Sequence, residues 1–115
     1  MTTIDTGTQD LLARKENGVG YLVMNRPEAR NAMSQEMNKA MQETIAAFEL
    51  DNEVRCIVLT GAGKGFCAGG DVKGMASRGD GTIGDNTIDA AIHKQRDHQR
   101  STSGKLFKMP KPTIA

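Results

Sequence analysis

Residues 55–75 read R-C-I-V-L-T-G-A-G-K-G-F-C-A-G-G-D-V-K-G-M. A short apolar run, Cys56-Ile57-Val58-Leu59, empties into a loop holding Gly61, Gly63, Gly65, Gly69 and Gly70. Asp71 then stands where a new helix can begin. A buried strand that ends in glycines and restarts as a helix is how α/β proteins turn bare backbone N–H groups toward a ligand. Glycine accepts positive φ and lets another molecule come close to the backbone. Function is expected to sit in this stretch.

The segments upstream supply a frame for it. Residues 11–16 and 19–24 read as two short strands joined by Asn17-Gly18, a strong two-residue hairpin signal. Asn25-Arg26-Pro27 closes the second strand. Ser34 is placed to cap a helix, with Glu36 in the first turn. Met33, Met37, Ala40, Met41, Thr44, Ile45 and Phe48 recur at three- and four-residue spacing. Glu36, Lys39, Glu43 and Glu49 take the other faces, so the spacing predicts an amphipathic helix of four to five turns (about) with a methionine-rich core stripe. Asp51-Asn52 end it. Residues 54–60 form a third strand, whose apolar run suits a sheet covered on both faces.

Downstream the pattern weakens. Asp71 is placed to cap a short helix over 72–77. Residues 78–86, R-G-D-G-T-I-G-D-N, carry no periodicity and read as a surface loop. Residues 87–108 have helical signals at both ends but a polar middle, so that helix is exposed or faces a partner. Pro110 and Pro112 end it. Pro112-Thr113-Ile114-Ala115 reads as the opening of another strand. The order β-β-α-β-α-α-(β) points to an α/β or α+β layer fold. Residues 1–9 are polar and expected to be flexible, leaving one domain over 10–115. A chain that stops on a buried-looking strand is expected to be truncated.

Composition narrows the classes. Of 115 residues, 37% are hydrophobic and 3% aromatic, with mean hydropathy -0.47 and seven methionines. The core must therefore come from aliphatic residues and methionine. A net charge of +1, with no basic helix and no aromatic RNA-binding cluster, speaks against nucleic acid as a partner. No apolar run is long enough for a transmembrane helix, and the N-terminus lacks a signal-peptide pattern. Cys56 and Cys67 follow no framework spacing and read as free thiols of a cytoplasmic protein.

Several site motifs fail on spacing. Gly63-Lys64 precedes Gly65 rather than Ser or Thr, so the chain has no P-loop. From Gly61 and Gly63, the position for the last glycine of a dinucleotide fingerprint is Phe66. His93 and His98 are five apart on a polar segment and do not stack as a metal pair. Cys67 has no histidine fixed near it in sequence. Asp71 is open to two roles, an acid–base group or a helix cap. The glycine loop is likewise open to two. Near Ala68-Gly69-Gly70 it offers N–H donors for a developing oxyanion, or it is simply a tight turn that needs small residues.

The string Gly65-Phe66-Cys67-Ala68-Gly69-Gly70-Asp71-Val72-Lys73 closely resembles the signature loop of the enoyl-CoA hydratase/isomerase superfamily, the crotonase fold. Three further segments agree in order: Asn25-Arg26-Pro27-Glu28-Ala29-Arg30-Asn31-Ala32-Met33, the strand Val54-Arg55-Cys56-Ile57-Val58-Leu59-Thr60-Gly61, and Lys108-Met109-Pro110-Lys111-Pro112-Thr113-Ile114-Ala115. The resemblance implies the N-terminal portion of an α/β crotonase-like spiral of β-β-α units that binds acyl-coenzyme A. It implies that the backbone N–H of Ala68 is one of two oxyanion donors. It also implies that Ala68, Gly69, Gly70, Asp71 and Val72 line the thioester and pantetheine, that Ala29 and Arg30 lie near the nucleotide end, and that Met75 borders the acyl group. The activity implied is hydration of a 2-enoyl-CoA, or isomerisation, through a stabilised enolate. Neither a metal nor a redox cofactor is implied; coenzyme A enters only as part of the substrate. Two departures stand out: Gly70 replaces a common alanine, and Gly74 stands where glutamate often follows the lysine. The family's second oxyanion loop, acid–base carboxylates and trimer-forming helices all fall after Ala115. The alternative is therefore a non-catalytic acyl-CoA-binding or interaction module.

Overall fold

Asn17 and Gly18 both take positive φ, 51° and 82°. That pair of conformations matches the twist of the strands it joins, which is why this dipeptide makes a two-residue hairpin. The computed structural model describes residues 2–70 and 88–115. In it, strand β1 (Thr2–Ile4) pairs antiparallel with β2 (Leu11–Glu16), and β2 pairs antiparallel with β3 (Val19–Met24), from Leu11↔Met24 to Glu16↔Val19. The first residues are thus not a flexible tail throughout. Thr2, Thr3 and Ile4 are β-branched and complete the open edge of β2. A turn held by Asp5 and Thr6 follows, in which the Thr6 hydroxyl donates to the Leu11 carbonyl.

Helix α1 (Gln35–Leu50) opens on Ser34, whose Oγ accepts the Met37 N–H at 3.1 Å and donates to Asp10 Oδ2 at 2.6 Å. Met37, Ala40, Met41, Thr44, Ile45 and Phe48 are buried, as the spacing predicts. They cover the sheet face formed by Leu11, Ala13, Leu22, Met24 and Ile57. No basic residue occupies the last turn of α1. Lys111, far along the chain, takes that place: its Nζ donates to the carbonyls of Phe48 and Asp51 at 2.6 and 2.7 Å. A cation there meets the unpaired carbonyls and the negative end of the helix dipole.

Strand β4 (Cys56–Gly61) pairs parallel with β3, and β5 (Thr113–Ile114) pairs parallel with β4. The described sheet therefore runs β1-β2-β3-β4-β5. Between β4 and β5 lie α2 (Ile88–Ser101) and α3 (Ser103–Lys108). The single helix expected over 87–108 is broken at buried Thr102, with φ -116° and ψ -96°. The Thr102 and Ser101 hydroxyls donate back to the carbonyls of His98 and Asp97, both at 2.8 Å. Such hydroxyls compete with the helix for its own acceptors and bend it. The polar middle of α2 faces α1 in part: His98 Nδ1 lies 2.9 Å from Gln42 Nε2. The short helix expected over 72–77 and the loop over 78–86 lie outside the described residues. Among those residues no helix is long and apolar enough to cross a membrane.

One electrostatic contact ties the hairpin to the end of α1. Lys15 Nζ reaches Asp51 Oδ2 at 2.8 Å and Glu53 Oε2 at 3.0 Å. Hydrogen bonding to Asp51 raises the Lys15 pKa above 10.5, and hydrogen bonding from Lys15 lowers that of Asp51 below 3.8. The Asp51 contribution is complete above pH 3.8 and is lost as pH falls through its lower folded value. The Lys15 contribution is complete below pH 10.5 and is lost as pH rises through its higher folded value. The melting-temperature gap between wild type and Lys15→Met is expected to be flat around neutrality and to shrink at both extremes. A gap that widened in acid would contradict this assignment. Both groups are solvated, so the gap itself is expected to be small.

Candidate active site

The glycine loop is held from one side by the segment joining β3 to α1. Pro27–Ala29 form one 3-10 turn, and Arg30 and Asn31 then take left-handed conformations, with φ 52° and 58°. Only a few residue types adopt that region readily, asparagine among them. The two successive turns send the Asn31 side chain inward, where it is fully buried. Its Oδ1 accepts the Arg26 N–H at 2.8 Å. Its Nδ2 donates to the carbonyls of Ala62 and Gly65, both at 2.9 Å. Because Arg26 N–H can only donate, the orientation of the carboxamide follows from the network.

Gly61, the last residue of β4, sits under this contact. A Cβ there would collide with the Phe66 carbonyl, lie 2.6 Å from Asn31 Nδ2 and lie 2.7 Å from the Gly65 carbonyl. Two of those three neighbours are backbone, so no side chain fits without moving the loop. The chain can fold back on itself at this point only because residue 61 is glycine.

Beyond the turn, residues 68–70 run beside residues 30–33. The Ala68 N–H donates to the Arg30 carbonyl at 3.0 Å, and the Met33 N–H donates to the Gly69 carbonyl at 2.7 Å. Met33 and Gly70 form an isolated parallel bridge. These bonds correct one expectation. The Ala68 N–H points into the protein and is already occupied, so it is not the outward donor. The outward-facing N–H lies two peptides further on. In a trans peptide the C=O and the next N–H point in opposite directions. The Gly69 carbonyl faces Met33, so the Gly70 N–H faces away from it, at an exposed residue. Gly69 makes this turnover with φ 106°, a conformation for glycine alone.

The other expected site residues fall as follows. Ala29 is half-buried in the 3-10 turn, and Arg30 is exposed beside it. The Arg30 carbonyl is what engages Ala68, so the Arg30 region and the glycine loop are one unit. Asp71, Val72 and Met75 lie outside the described residues. Cys67 and Cys56 are free thiols, and Cys67 Sγ accepts the Gly69 N–H at 3.4 Å. His93 is exposed and His98 faces α1, both on α2 rather than at the loop. Asn31 is the residue to which sequence reasoning assigned no role, and Gly61 was read only as one of the loop glycines. The available signal was an asparagine after a Pro-led turn, a residue that tolerates positive φ and bonds to nearby backbone.

The arrangement is a backbone donor with no side chain at its own residue, in the loop that follows β4. It suits an oxygen that gains negative charge.

Residues 19–115 match the sequence profile of the enoyl-CoA hydratase/isomerase family. The chain is 37% identical over 102 residues to an enoyl-CoA hydratase of Mycobacterium tuberculosis, an alignment covering 84% of this chain and 38% of that protein. It is 33% identical over 116 residues to the hydroxycinnamoyl-CoA hydratase-lyase of Pseudomonas fluorescens, covering 100% of this chain and 40% of the relative. Among solved structures, an enoyl-CoA hydratase/isomerase from Xanthobacter autotrophicus superposes with a TM-score of 0.76 at 33% identity, over 92% of this chain and 37% of that one. The chain thus spans about two-fifths of the length of the relatives it matches. Its β-β-α-β arrangement is the crotonase fold of those neighbours, and the chain belongs to the enoyl-CoA hydratase/isomerase family.

Proposed function

We propose that the polypeptide carrying this chain adds water to a 2-enoyl-CoA thioester, with the Gly70 N–H as one donor to the thioester oxygen. The observation that carries this reading is the outward direction of that N–H, fixed by the Met33–Gly69 hydrogen bond. As water adds to the β-carbon, electrons move onto the thioester oxygen to give an enolate. A hydrogen bond aimed at that oxygen is stronger in the transition state than in the ground state, so it accelerates the step rather than merely tightening binding. The α-carbon then takes up a proton, and the net change is addition of H and OH across the double bond. The second donor and the carboxylates that move protons belong, on this reading, to parts of the site outside the described residues.

Exposed Arg30, on the segment that fixes the loop, is suited to a phosphate of coenzyme A. The reaction needs no metal or redox partner, and coenzyme A serves only as the handle of the substrate. A cytoplasmic, trimer-based enzyme is part of the same proposal.

The test is incubation of the whole polypeptide with but-2-enoyl-CoA, following loss of the conjugated thioester absorbance. Saturable loss with formation of the 3-hydroxyacyl ester supports the reading. Tight binding of the ester without turnover favours the acyl-CoA-binding module instead. Absence of both binding and turnover removes acyl-CoA as the ligand.

A further inference from the structure

We infer that Asn31 is a positioning residue that sets the direction of the Gly70 N–H, although it touches neither substrate nor Gly70 itself. The inference rests on the role proposed above for Gly70. Asn31 joins two segments that are distant in sequence. Its side chain bonds to Ala62 and Gly65, on the near side of the glycine loop. The backbone on either side of it, the Arg30 carbonyl and the Met33 N–H, bonds to Ala68 and Gly69 on the far side. The loop is therefore clamped at both ends to a single left-handed turn. The Gly69 peptide plane, which carries the Gly70 N–H, cannot rotate without releasing the Met33 bond.

The chemistry of the clamp is specific to a carboxamide. Three backbone groups surround the Asn31 side chain, one N–H and two carbonyls. An asparagine answers them with one acceptor and two donors. A carboxylate of the same shape offers only acceptors, so it would face the Ala62 and Gly65 carbonyls with like charge. The Asn31 side chain is itself fully buried, so an unmade bond there is costly. The backbone conformation is a separate matter, because φ 58° is accessible to asparagine, aspartate and glycine alike.

Two variants separate these contributions. Asn31→Asp keeps the shape and loses both donors. Asn31→Gly keeps the backbone conformation without strain and loses the whole side chain. For each, two measurements are made on the whole polypeptide: kcat and KM with but-2-enoyl-CoA, and amide hydrogen exchange residue by residue. Both variants are expected to lose kcat by about 100-fold, the scale of a sub-ångström to ångström misplacement of a reacting group. KM is expected to move far less, since a donor that acts mainly in the transition state affects kcat first. Exchange at the Ala68 and Met33 amides is expected to accelerate, with β3 and β4 unchanged. Undiminished kcat in either variant would overturn the inference. So would loss of protection throughout β3 and β4, which would make Asn31 a folding residue only. If the wild type fails to turn over the ester, the functional reading falls. The exchange measurement then decides the clamp alone: local acceleration at Ala68 and Met33 supports it, and unchanged protection there overturns it.

Discussion

Replacing Gly70 by proline is expected to lower kcat/KM for but-2-enoyl-CoA by about 100- to 1,000-fold, or about 3–4 kcal/mol of transition-state stabilisation. Proline removes the outward-facing Gly70 N–H, and the two amides before it in the described chain are already engaged. The Ala68 N–H is held by the Arg30 carbonyl at 3.0 Å, and the Gly69 N–H lies 3.4 Å from Cys67 Sγ. Gly70→Ala is the matched control. It adds a methyl group but keeps the N–H, so most of the activity is expected to remain. A proline variant as active as the alanine variant would show that the donor lies elsewhere. Equal, severe losses in both would point to crowding at residue 70 rather than to a lost hydrogen bond.

Phe48→Ala is expected to destabilise the fold by about 3–5 kcal/mol. Phe48 is 2% exposed and lies on the apolar stripe of α1. Its ring occupies the space above Gly20 in β3: a Cβ on Gly20 would lie 2.8 Å from the ring atoms Cδ2 and Cε2, and 3.0 Å from Val54 Cγ1. The glycine leaves the volume and the phenylalanine fills it. Removing the ring leaves a cavity floored by backbone, which has no side chain able to swing in. The poor relaxation places the cost toward the upper end of the range for such truncations. With one of three phenylalanines in a chain that is 3% aromatic, few other large groups share the load. The urea midpoint is expected to fall with an unchanged slope. A loss below about 1 kcal/mol would mean that the site collapses freely and that Gly20 is not a fixed floor.

The two predictions act at different levels. Phe48 holds α1 on the sheet, and α1 begins at Ser34, immediately after the segment that clamps the glycine loop. The stability of the core and the direction of one N–H are linked through that short connection. The expected losses remain separable, because Gly70→Pro changes a surface peptide and is expected to leave the urea midpoint nearly in place.

Local sequence carried much of the frame. The Asn17-Gly18 turn and the strands flanking it were legible because a two-residue loop with positive φ admits few residue types and fixes strand register. The stripe of α1 was legible because its period matches the helical turn. Ser34 was legible as a cap because capping acts over three residues. The family was legible because four ordered segments carry it, and the glycine string among them marked the candidate site. Residues 2–4 were misread because a three-residue edge strand has almost no local signal; its register with Lys15, Arg14 and Ala13 supplies the order. The break at Thr102 was missed because hydroxyls bonding back to the helix look like ordinary polar positions in sequence.

What the sequence by itself determined is therefore the order of the elements from β2 to β4 and the buried face of α1, with the glycine loop as the candidate site. Each of these depends on residues a few positions apart. Only the tertiary structure decided which amide of the loop faces outward. That choice rests on the Arg30 carbonyl taking the Ala68 N–H and on Met33 taking the Gly69 carbonyl. It rests too on the buried Asn31 and on the space left by Gly61. Lys111 completing the end of α1 is a further case. A backbone N–H has the same identity in every residue except proline, so its direction is invisible in a string of letters. It is set by partners brought together only when distant segments pack.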